Sequence, residues 1–121
     1  MNGSRRVVLV VDDEAITREV VTAMLELEDV EVHSASSGED ALAKAADVRP
    51  DLVLLDVMMP GLDGFEVCRR LTAEPAPPTI VMLTAKADDE SRRVAAAAGA
   101  SAYLVKPFSA RDLFKVVEGA A

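Results

Sequence analysis

The sequence predicts an α/β fold in which five parallel strands form one sheet that is covered by helices on both faces. Two observations carry this prediction. Short continuous apolar runs, which are typical of strands buried on both faces, recur along the chain. Segments with apolar residues at helical spacing lie between these runs, so strands and helices alternate. Right-handed crossovers would then place helices on both faces, which gives a doubly wound (βα)5 domain.

Four of the predicted strands end abruptly at a polar residue. The runs and their polar ends are 7–11 before Asp12 and Asp13, 52–55 before Asp56, 80–83 before Thr84, and 102–105 before Lys106. A shorter apolar run at 30–32 predicts the remaining strand, which is second in chain order. The polar ends have no structural need to be there, so they are candidates for a functional site.

The first two helices are predicted from apolar spacing and from a capping signal. Apolar residues at helical spacing predict the first helix over about residues 15–28, with Leu27 as the last apolar position. Ser37 is followed three positions later by an acidic residue, which resembles a capping box. It would begin the second helix, and Pro50 would end it.

The other three helices follow turns or capping residues. The turn-forming residues 60–64 precede the third helix. Asp88 or Asp89 would begin a fourth, alanine-rich helix that stops at Gly99. Ser109 would cap the fifth helix.

Composition and charge restrict what the chain does. Its 121 residues, 50% of them apolar, suit one domain, which we expect over residues 5–121 after a disordered or expression-derived tail at 1–4. A net charge of −8 argues against direct nucleic-acid binding, which depends on basic patches. Aromatic residues make up only 3%, so a flavin would find few stacking partners. A single cysteine, Cys68, and the lack of a long apolar stretch are typical of a cytoplasmic protein away from the membrane.

The polar strand ends predict one shared site, because ligands bind at the carboxyl ends of the strands in an open α/β sheet. Asp12, Asp13 and Asp56 would repel one another there, and a divalent cation relieves that repulsion. Oxygen ligands indicate Mg²⁺ or Mn²⁺ rather than zinc. Magnesium usually takes one or two carboxylates, which leaves one as a nucleophile that can form an acyl phosphate. Thr84 and Lys106 would supply the hydroxyl and the positive charge that phosphoryl transfer needs.

These residues resemble the receiver domain of two-component response regulators, which has a CheY-like fold related to that of flavodoxin. The resemblance covers about residues 5–119. It rests on four motifs, which are Val10-Val11-Asp12-Asp13-Glu14, Asp56-Val57-Met58-Met59-Pro60-Gly61 continuing to Asp63-Gly64, Thr84-Ala85, and Lys106-Pro107-Phe108.

The resemblance implies a role for each residue of the site. Asp56 would accept a phosphoryl group from a histidine kinase or a histidine phosphotransfer protein. Asp13 and Asp56 would hold Mg²⁺ directly, and Asp12 partly through water. The backbone carbonyl of Met58 would be a further ligand. Two residues, Thr84 and Lys106, would contact the phosphoryl oxygens, and the Lys106–Pro107 bond would be cis.

The resemblance also implies a switch. Tyr103, three residues before the lysine, would turn inward as Thr84 moves toward the phosphoryl group. The face formed by the fourth helix, the fifth strand and the fifth helix would change with it and act on an effector, an output domain outside this sequence, or a second copy in a phosphorylation-dependent homodimer. Met58 and Lys86 stand where such domains tune dephosphorylation, and the apolar Met58 predicts a phosphoryl group that persists longer than it would with a polar residue at this position.

Two other functions stay open on the residues alone. A Mg²⁺-dependent phosphohydrolase could also use an aspartyl nucleophile, although many such enzymes carry a second acid where Met58 stands. A flavodoxin-like electron carrier would share the fold, but the sequence lacks a hydroxyl- and glycine-rich phosphate loop after the first strand. A receiver is not a conventional turnover enzyme, since it would catalyse its own phosphorylation and slow autodephosphorylation.

Overall fold

Strands and helices alternate five times in the computed structural model, which describes residues 5–85 and 88–119. The elements are β1 (Arg6–Val11), α1 (Ala15–Leu25), β2 (Val30–Ala35), α2 (Gly38–Val48), β3 (Leu52–Asp56), α3 (Gly64–Thr72), β4 (Thr79–Thr84), α4 (Asp89–Ala97), β5 (Ala102–Val105) and α5 (Ala110–Gly119). All the strand pairs are parallel, and the strand order is β2-β1-β3-β4-β5. The predicted fold is confirmed. No helix in the described part of the chain has both the length and the apolar character that a bilayer crossing requires.

Each strand sends alternate residues to opposite faces of the sheet, and each face has its own core. Val8 and Val10 of β1 lie in the core beneath α1 and α5, whereas Leu9 and Val11 lie in the core beneath α2, α3 and α4. All four are fully buried. A central strand that is covered on both sides needs apolar residues at every position, which explains the continuous apolar runs in the sequence.

The predicted capping residues begin three of the helices. Each cap is a side-chain oxygen that accepts from a backbone N–H three residues later: Ser37 from Asp40 at 3.1 Å, Asp88 from Ser91 at 3.2 Å, and Ser109 from Asp112 at 3.0 Å. The α2 helix ends at Val48, before Pro50, and its C-terminal capping residue Arg49 has a φ of 50°, in the left-handed region. These predictions are confirmed.

The prediction for the first helix was wrong at its end. The α1 helix stops at Leu25 instead of reaching residue 28, and Leu27 is 76% exposed. The N–H groups of Leu27 and Glu28 each donate three residues back, to Met24 and Leu25, which tightens the chain into a turn before β2. The periodic pattern of apolar residues ran on through this turn, so it overestimated the helix.

The second strand extends beyond the predicted residues 30–32 to Ala35. It lies at the edge of the sheet, where it pairs with β1 alone. Its polar residues Glu31 and His33 are partly exposed, and their side chains contact each other at 2.7 Å. An edge strand needs apolar residues at fewer positions, so its apolar signal is weak in the sequence.

Candidate functional site

The strand order brings the predicted polar residues to one edge of the sheet. Asp12 and Asp13 follow β1, Asp56 ends the neighbouring β3, and Thr84 ends β4. Oxygens of the three carboxylates lie within 4.8 Å of one another. Lys106, which follows β5, donates its backbone N–H to the Thr84 carbonyl at 2.7 Å, and the Thr84 residue is fully buried. The three carboxylates and the Lys106 ammonium therefore share one crevice, and Thr84 lies at the adjacent end of β4.

Asp12 is firmly held in the crevice. It is fully buried, and its N–H extends the β1–β2 ladder by donating to the Ala35 carbonyl at 3.2 Å. Oδ1 accepts from the Glu14 N–H at 2.9 Å, and Oδ2 accepts from the Lys106 ammonium at 2.7 Å. Its backbone carbonyl accepts from Arg18 Nη1 at 2.7 Å. Both carboxylate oxygens are thus already engaged by chain atoms.

Asp56 is buried but less firmly held. It is 5% exposed, and Oδ1 accepts from the Met58 N–H at 3.3 Å and lies 3.6 Å from the Lys106 ammonium. Burial, followed by the negative charge of Asp12, raises the pKa of the Asp56 carboxyl from 3.8 to about 6. The Lys106 charge and the Met58 N–H oppose this rise without cancelling it. The ionised carboxylate is therefore destabilised in the crevice and would gain from a nearby cation.

Lys106 supplies the positive charge that faces the carboxylates. Burial acts to lower the pKa of the ammonium, but its hydrogen bond to Asp12 and the charge of Asp56 outweigh this and raise the pKa. The lysine therefore stays charged at neutral pH. The peptide bond between Lys106 and Pro107 is cis, as expected.

The residues present fit a hard divalent cation. The cluster of Asp12, Asp13 and Asp56 offers oxygen ligands, which Mg²⁺ prefers. Within the described residues, a single nearby ammonium does not neutralise these three carboxylates, and burial, followed by the charge of Asp12, raises the pKa of Asp56. Mg²⁺ would be held here by the carboxylates of the cluster.

Two contributions to the crevice were missed by sequence reasoning. The Glu14 N–H that holds Asp12 is a backbone group and leaves no sequence signal. Arg18, whose guanidinium reaches the Asp12 carbonyl, does leave one: it is a cation in the first turns of the helix that follows the two acids. Gly64 was predicted as a turn residue. Its lack of a side chain also lets the start of α3 lie close to the Asp56 backbone, since a Cβ there would lie 2.3 Å from the Asp56 carbonyl oxygen.

The remaining predicted residues lie around the crevice. Met58 is 57% exposed, and its backbone N–H donates to the Asp56 carboxylate. Tyr103 is half-buried in β5 and packs against the core beneath α4, with the Arg92 guanidinium 4.9 Å from the centre of its ring. Lys86 and the tail at residues 1–4 lie outside the described residues.

Comparison with known proteins identifies the family. The family model of the response regulator receiver domain matches residues 8–118 of the sequence. The chain belongs to this family. The transcriptional regulatory protein ResD of Bacillus subtilis is 46% identical over 106 residues, which cover 88% of this chain and 44% of ResD. The DNA-binding response regulator MtrA of Mycobacterium tuberculosis is 42% identical over 113 residues, which cover 93% of this chain and 49% of MtrA.

A solved structure supports the same assignment. The chemotaxis protein CheY4 of Vibrio cholerae superimposes with a TM-score of 0.91 and 35% identity, over 98% of this chain and 100% of that one. By contrast, this receiver chain spans just under half the length of ResD and MtrA. The chain is therefore a phosphorylatable receiver domain of the two-component type. The family match favours this function over the phosphohydrolase and the electron carrier. Receivers of this family bind Mg²⁺ at an acidic pocket, which corresponds here to the acidic cluster.

Proposed function

We propose that Asp56 is the phosphoacceptor of this receiver. The observation that carries the proposal is the crevice itself, in which a buried carboxylate lies beside two further acids and 3.6 Å from the Lys106 ammonium. An Asp56 oxygen would attack the phosphorus of a phosphohistidine. The new O–P bond would give an acyl phosphate as the P–N bond breaks and the electron pair passes to the imidazole.

The described residues form one sheet with both faces covered, which supports a single domain over residues 5–121.

The other residues of the crevice would divide the supporting roles. Asp13 and Asp56 would hold Mg²⁺ directly with the Met58 carbonyl, and Asp12, whose oxygens are engaged, would contribute through water. When bound, Mg²⁺ would neutralise charge that develops on the phosphoryl oxygens. The Lys106 ammonium would reach a phosphoryl oxygen from its place between Asp12 and Asp56, and Thr84 would offer its hydroxyl.

Phosphorylation with a small donor tests the acceptor. Incubation with Mg²⁺ and acetyl phosphate should add the mass of one phosphoryl group to the parent protein, and Asp56→Asn should abolish the gain. Asp47→Asn is the matched control, because Asp47 is an exposed carboxyl on α2, and this variant should be labelled like the parent. Labelling that persists in Asp56→Asn would contradict the proposal. Turnover of many phosphoesters per protein would favour the phosphohydrolase instead.

The switch would run from Thr84 to the face of α4, β5 and α5. Moving a two-state protein from 1:99 to 99:1 takes about 5.5 kcal/mol of differential stabilisation. Hydrogen bonds to a charged group contribute about 1.5–3 kcal/mol each, so bonds from both Thr84 and Lys106 to the phosphoryl group would approach a full switch. Tyr103, in β5, would carry the change to an effector, an output domain outside this sequence, or a second copy of the chain.

The donor, a histidine kinase or a histidine phosphotransfer protein, would dock on an apolar groove beside the crevice. The groove has a volume of about 470 Å³ and lies between α1 and the segment after β5. It is continuous with the crevice because Lys106 lines both. Ile16 and Val20 of α1 border it and are 76% and 46% exposed. An imidazole is short, so the donor surface must lie against these residues while its phosphohistidine reaches Asp56. Such a donor supports a cytoplasmic location.

Separating docking from chemistry tests the groove. Ile16→Asp should slow phosphotransfer from phosphorylated histidine kinases, assayed as a purified panel, while labelling by acetyl phosphate stays within about twofold of the parent. Leu27→Asp is the matched control, because Leu27 is also 76% exposed but lies beyond the end of α1, outside the groove. Equal transfer rates in these two variants would overturn the docking site and leave the phosphoacceptor proposal intact.

A further inference from the structure

The backbone carbonyl of Asp12 lies where β1 turns into α1. The N–H of the same residue is the last group of the β1–β2 ladder and donates to Ala35. Beyond this point the chain leaves the sheet, and a buried carbonyl there needs a donor from elsewhere. The donor is the guanidinium of Arg18, whose Nη1 lies 2.7 Å from the Asp12 oxygen.

Arg18 reaches this carbonyl because of its place in α1. Side chains on a helix lean toward its N-terminus, so a long side chain in the first turns extends back over the preceding loop. The Arg18 N–H also donates to the Glu14 carbonyl at 3.1 Å, at the start of the helix. Arg18 therefore holds both ends of the loop from Asp12 to Glu14: its side chain bonds to the first residue and its backbone N–H to the last.

The consequence falls on Asp13. The carbonyl of Asp12 and the N–H of Asp13 belong to one planar peptide unit, so fixing the carbonyl fixes the direction in which the Asp13 backbone continues. Asp12 has its own restraints, since Glu14 and Lys106 hold its carboxylate. Asp13 is exposed, so packing restrains its carboxylate less, and its position depends more strongly on that peptide unit.

We propose that Arg18 is a positioning residue for the metal site: by holding the Asp12–Asp13 peptide unit, it aims the Asp13 carboxylate at the Mg²⁺ position. The inference rests on the proposed function, in which Asp13 is a direct ligand. Residues that orient metal ligands from outside typically change metal affinity by about 10–100-fold when they are replaced.

The positive charge of Arg18 acts in the opposite direction, because a nearby guanidinium repels a cation. If repulsion dominated, removing the charge would tighten Mg²⁺ binding. We expect orientation to dominate, since the guanidinium is directed at a carbonyl and not at a carboxylate ligand. Arg18 also lines an open depression of about 420 Å³ beside α1, so truncation widens a solvent-filled hollow and leaves no closed cavity.

Four proteins separate orientation from charge and from stability. Mg²⁺ affinity is measured by calorimetry for the parent, Arg18→Ala, Arg18→Lys and Arg93→Ala, with thermal unfolding recorded for each. Arg18→Ala should bind about tenfold more weakly. Arg18→Lys keeps a donor and should stay within about threefold of the parent. Arg93→Ala, which removes the same charge from an exposed position on α4, should bind like the parent.

A kinetic measurement adds a second readout. With acetyl phosphate as donor, the Mg²⁺ concentration for half-maximal labelling should rise about tenfold in Arg18→Ala. The rate at saturating Mg²⁺ should change far less, because the acceptor and Lys106 are untouched. A purely structural role would instead lower the folded fraction and with it the maximal rate.

Three results would overturn the inference. The first is parent-like or tighter Mg²⁺ binding by Arg18→Ala, and the second is equal loss in Arg18→Ala and Arg18→Lys. The third applies if Arg18→Ala does not fold and Arg18→Met, which keeps an unbranched side chain but has no donor, takes its place: parent-like binding by the Met variant overturns the inference, whereas weaker binding by the Met variant than by the Lys variant supports it. Failure of the parent to bind Mg²⁺ or to be labelled would refute the proposed function itself, so the two failures are distinguishable.

Discussion

The crevice and the face of α4 and β5 are held together by contacts of very different strength. In the crevice, the Lys106 ammonium lies 2.7 Å from the carboxylate of Asp12, which is fully buried. On the face, the exposed Arg92 lies 4.9 Å from the ring centre of the half-buried Tyr103. A close ion pair to a buried carboxylate keeps reacting groups in place, whereas a contact made by an exposed side chain can rearrange for a small change in free energy. On the proposed function, the phosphorylation site and the output face would therefore lie in separate parts of the molecule.

Of the changes that test this comparison between the crevice and the face, removal of the Lys106 charge should have the largest effect on the free energy of unfolding. In Lys106→Met, Asp12 and Asp56 lose the cation that faces them, and buried carboxylates without a partner are strongly destabilising. We expect the free energy of unfolding to fall by about 3 kcal/mol at pH 7.5, measured by urea unfolding followed by circular dichroism. Added Mg²⁺ should restore part of the loss.

Lys115→Met is the control for the lysine, because Lys115 is exposed on α5. Its unfolding free energy should stay within about 0.5 kcal/mol of the parent. Parent-like stability in Lys106→Met would show that the crevice is no more firmly held than the surface.

Neutralising Asp56, the proposed acceptor, should change the free energy of unfolding in the opposite direction. The pKa of Asp56 is raised from 3.8 to about 6, so its ionisation opposes folding. The stability that protonated Asp56 contributes is complete below pH 3.8 and is lost as the pH rises through about 6. A shift of this size corresponds to at most about 3 kcal/mol, so Asp56→Asn should stabilise the fold by about 1–3 kcal/mol at pH 7.5.

The gain from Asp56→Asn should shrink toward zero at pH 4, where the parent is also neutral at this position. Unfolding with a chelator present, at both pH values, measures it. Asp47→Asn, at an exposed carboxyl on α2, should show no such pH-dependent gain. A gain that is equal at both pH values would exclude titration of Asp56 as its cause.

The strand ends were predictable because each follows a short continuous apolar run, which is typical of a parallel strand buried on both faces. Val11 followed by Asp12, or Leu55 followed by Asp56, places an acid where the sheet edge must be. The lysine and Thr84 were found in the same way. Some of what escaped prediction is encoded by no side-chain pattern, such as the N–H of Glu14 that holds Asp12 and the turn that leaves Leu27 in solvent. Arg18 also escaped, although a cation in the first turns of the helix after the two acids is visible in the sequence.

Changing Met58 should alter the lifetime of the phosphoryl group without altering either region's stability. Its side chain is 57% exposed, and its N–H donates to the Asp56 carboxylate. A polar side chain there could orient the attacking water, so Met58→Asn should speed dephosphorylation by about tenfold. Loss of labelled protein over time measures this, with Met58→Leu as an apolar control that should decay like the parent. An unchanged or slower decay in Met58→Asn would contradict the prediction.

The smallest effect on stability is expected for a change on the face of α4 and β5. Cation–π contacts at exposed sites contribute about 0.5–1 kcal/mol, so loss of this contact in Arg92→Ala should lower the free energy of unfolding by about that amount. Labelling of Asp56 by acetyl phosphate should stay within about twofold of the parent, since no residue of the crevice is changed. The environment of Tyr103 should change instead.

That change is directly measurable, because Tyr103 is the one tyrosine of the sequence and the sequence has no tryptophan. Its fluorescence reports on this ring alone, before and after addition of a beryllofluoride phosphoryl mimic. Arg92→Ala should reduce the difference between the two states, and Arg93→Ala, at the neighbouring exposed position on α4, should not. A parent-like difference in Arg92→Ala would mean that the contact does not distinguish the two states, and that the readout depends on the packing of Tyr103 against the core beneath α4.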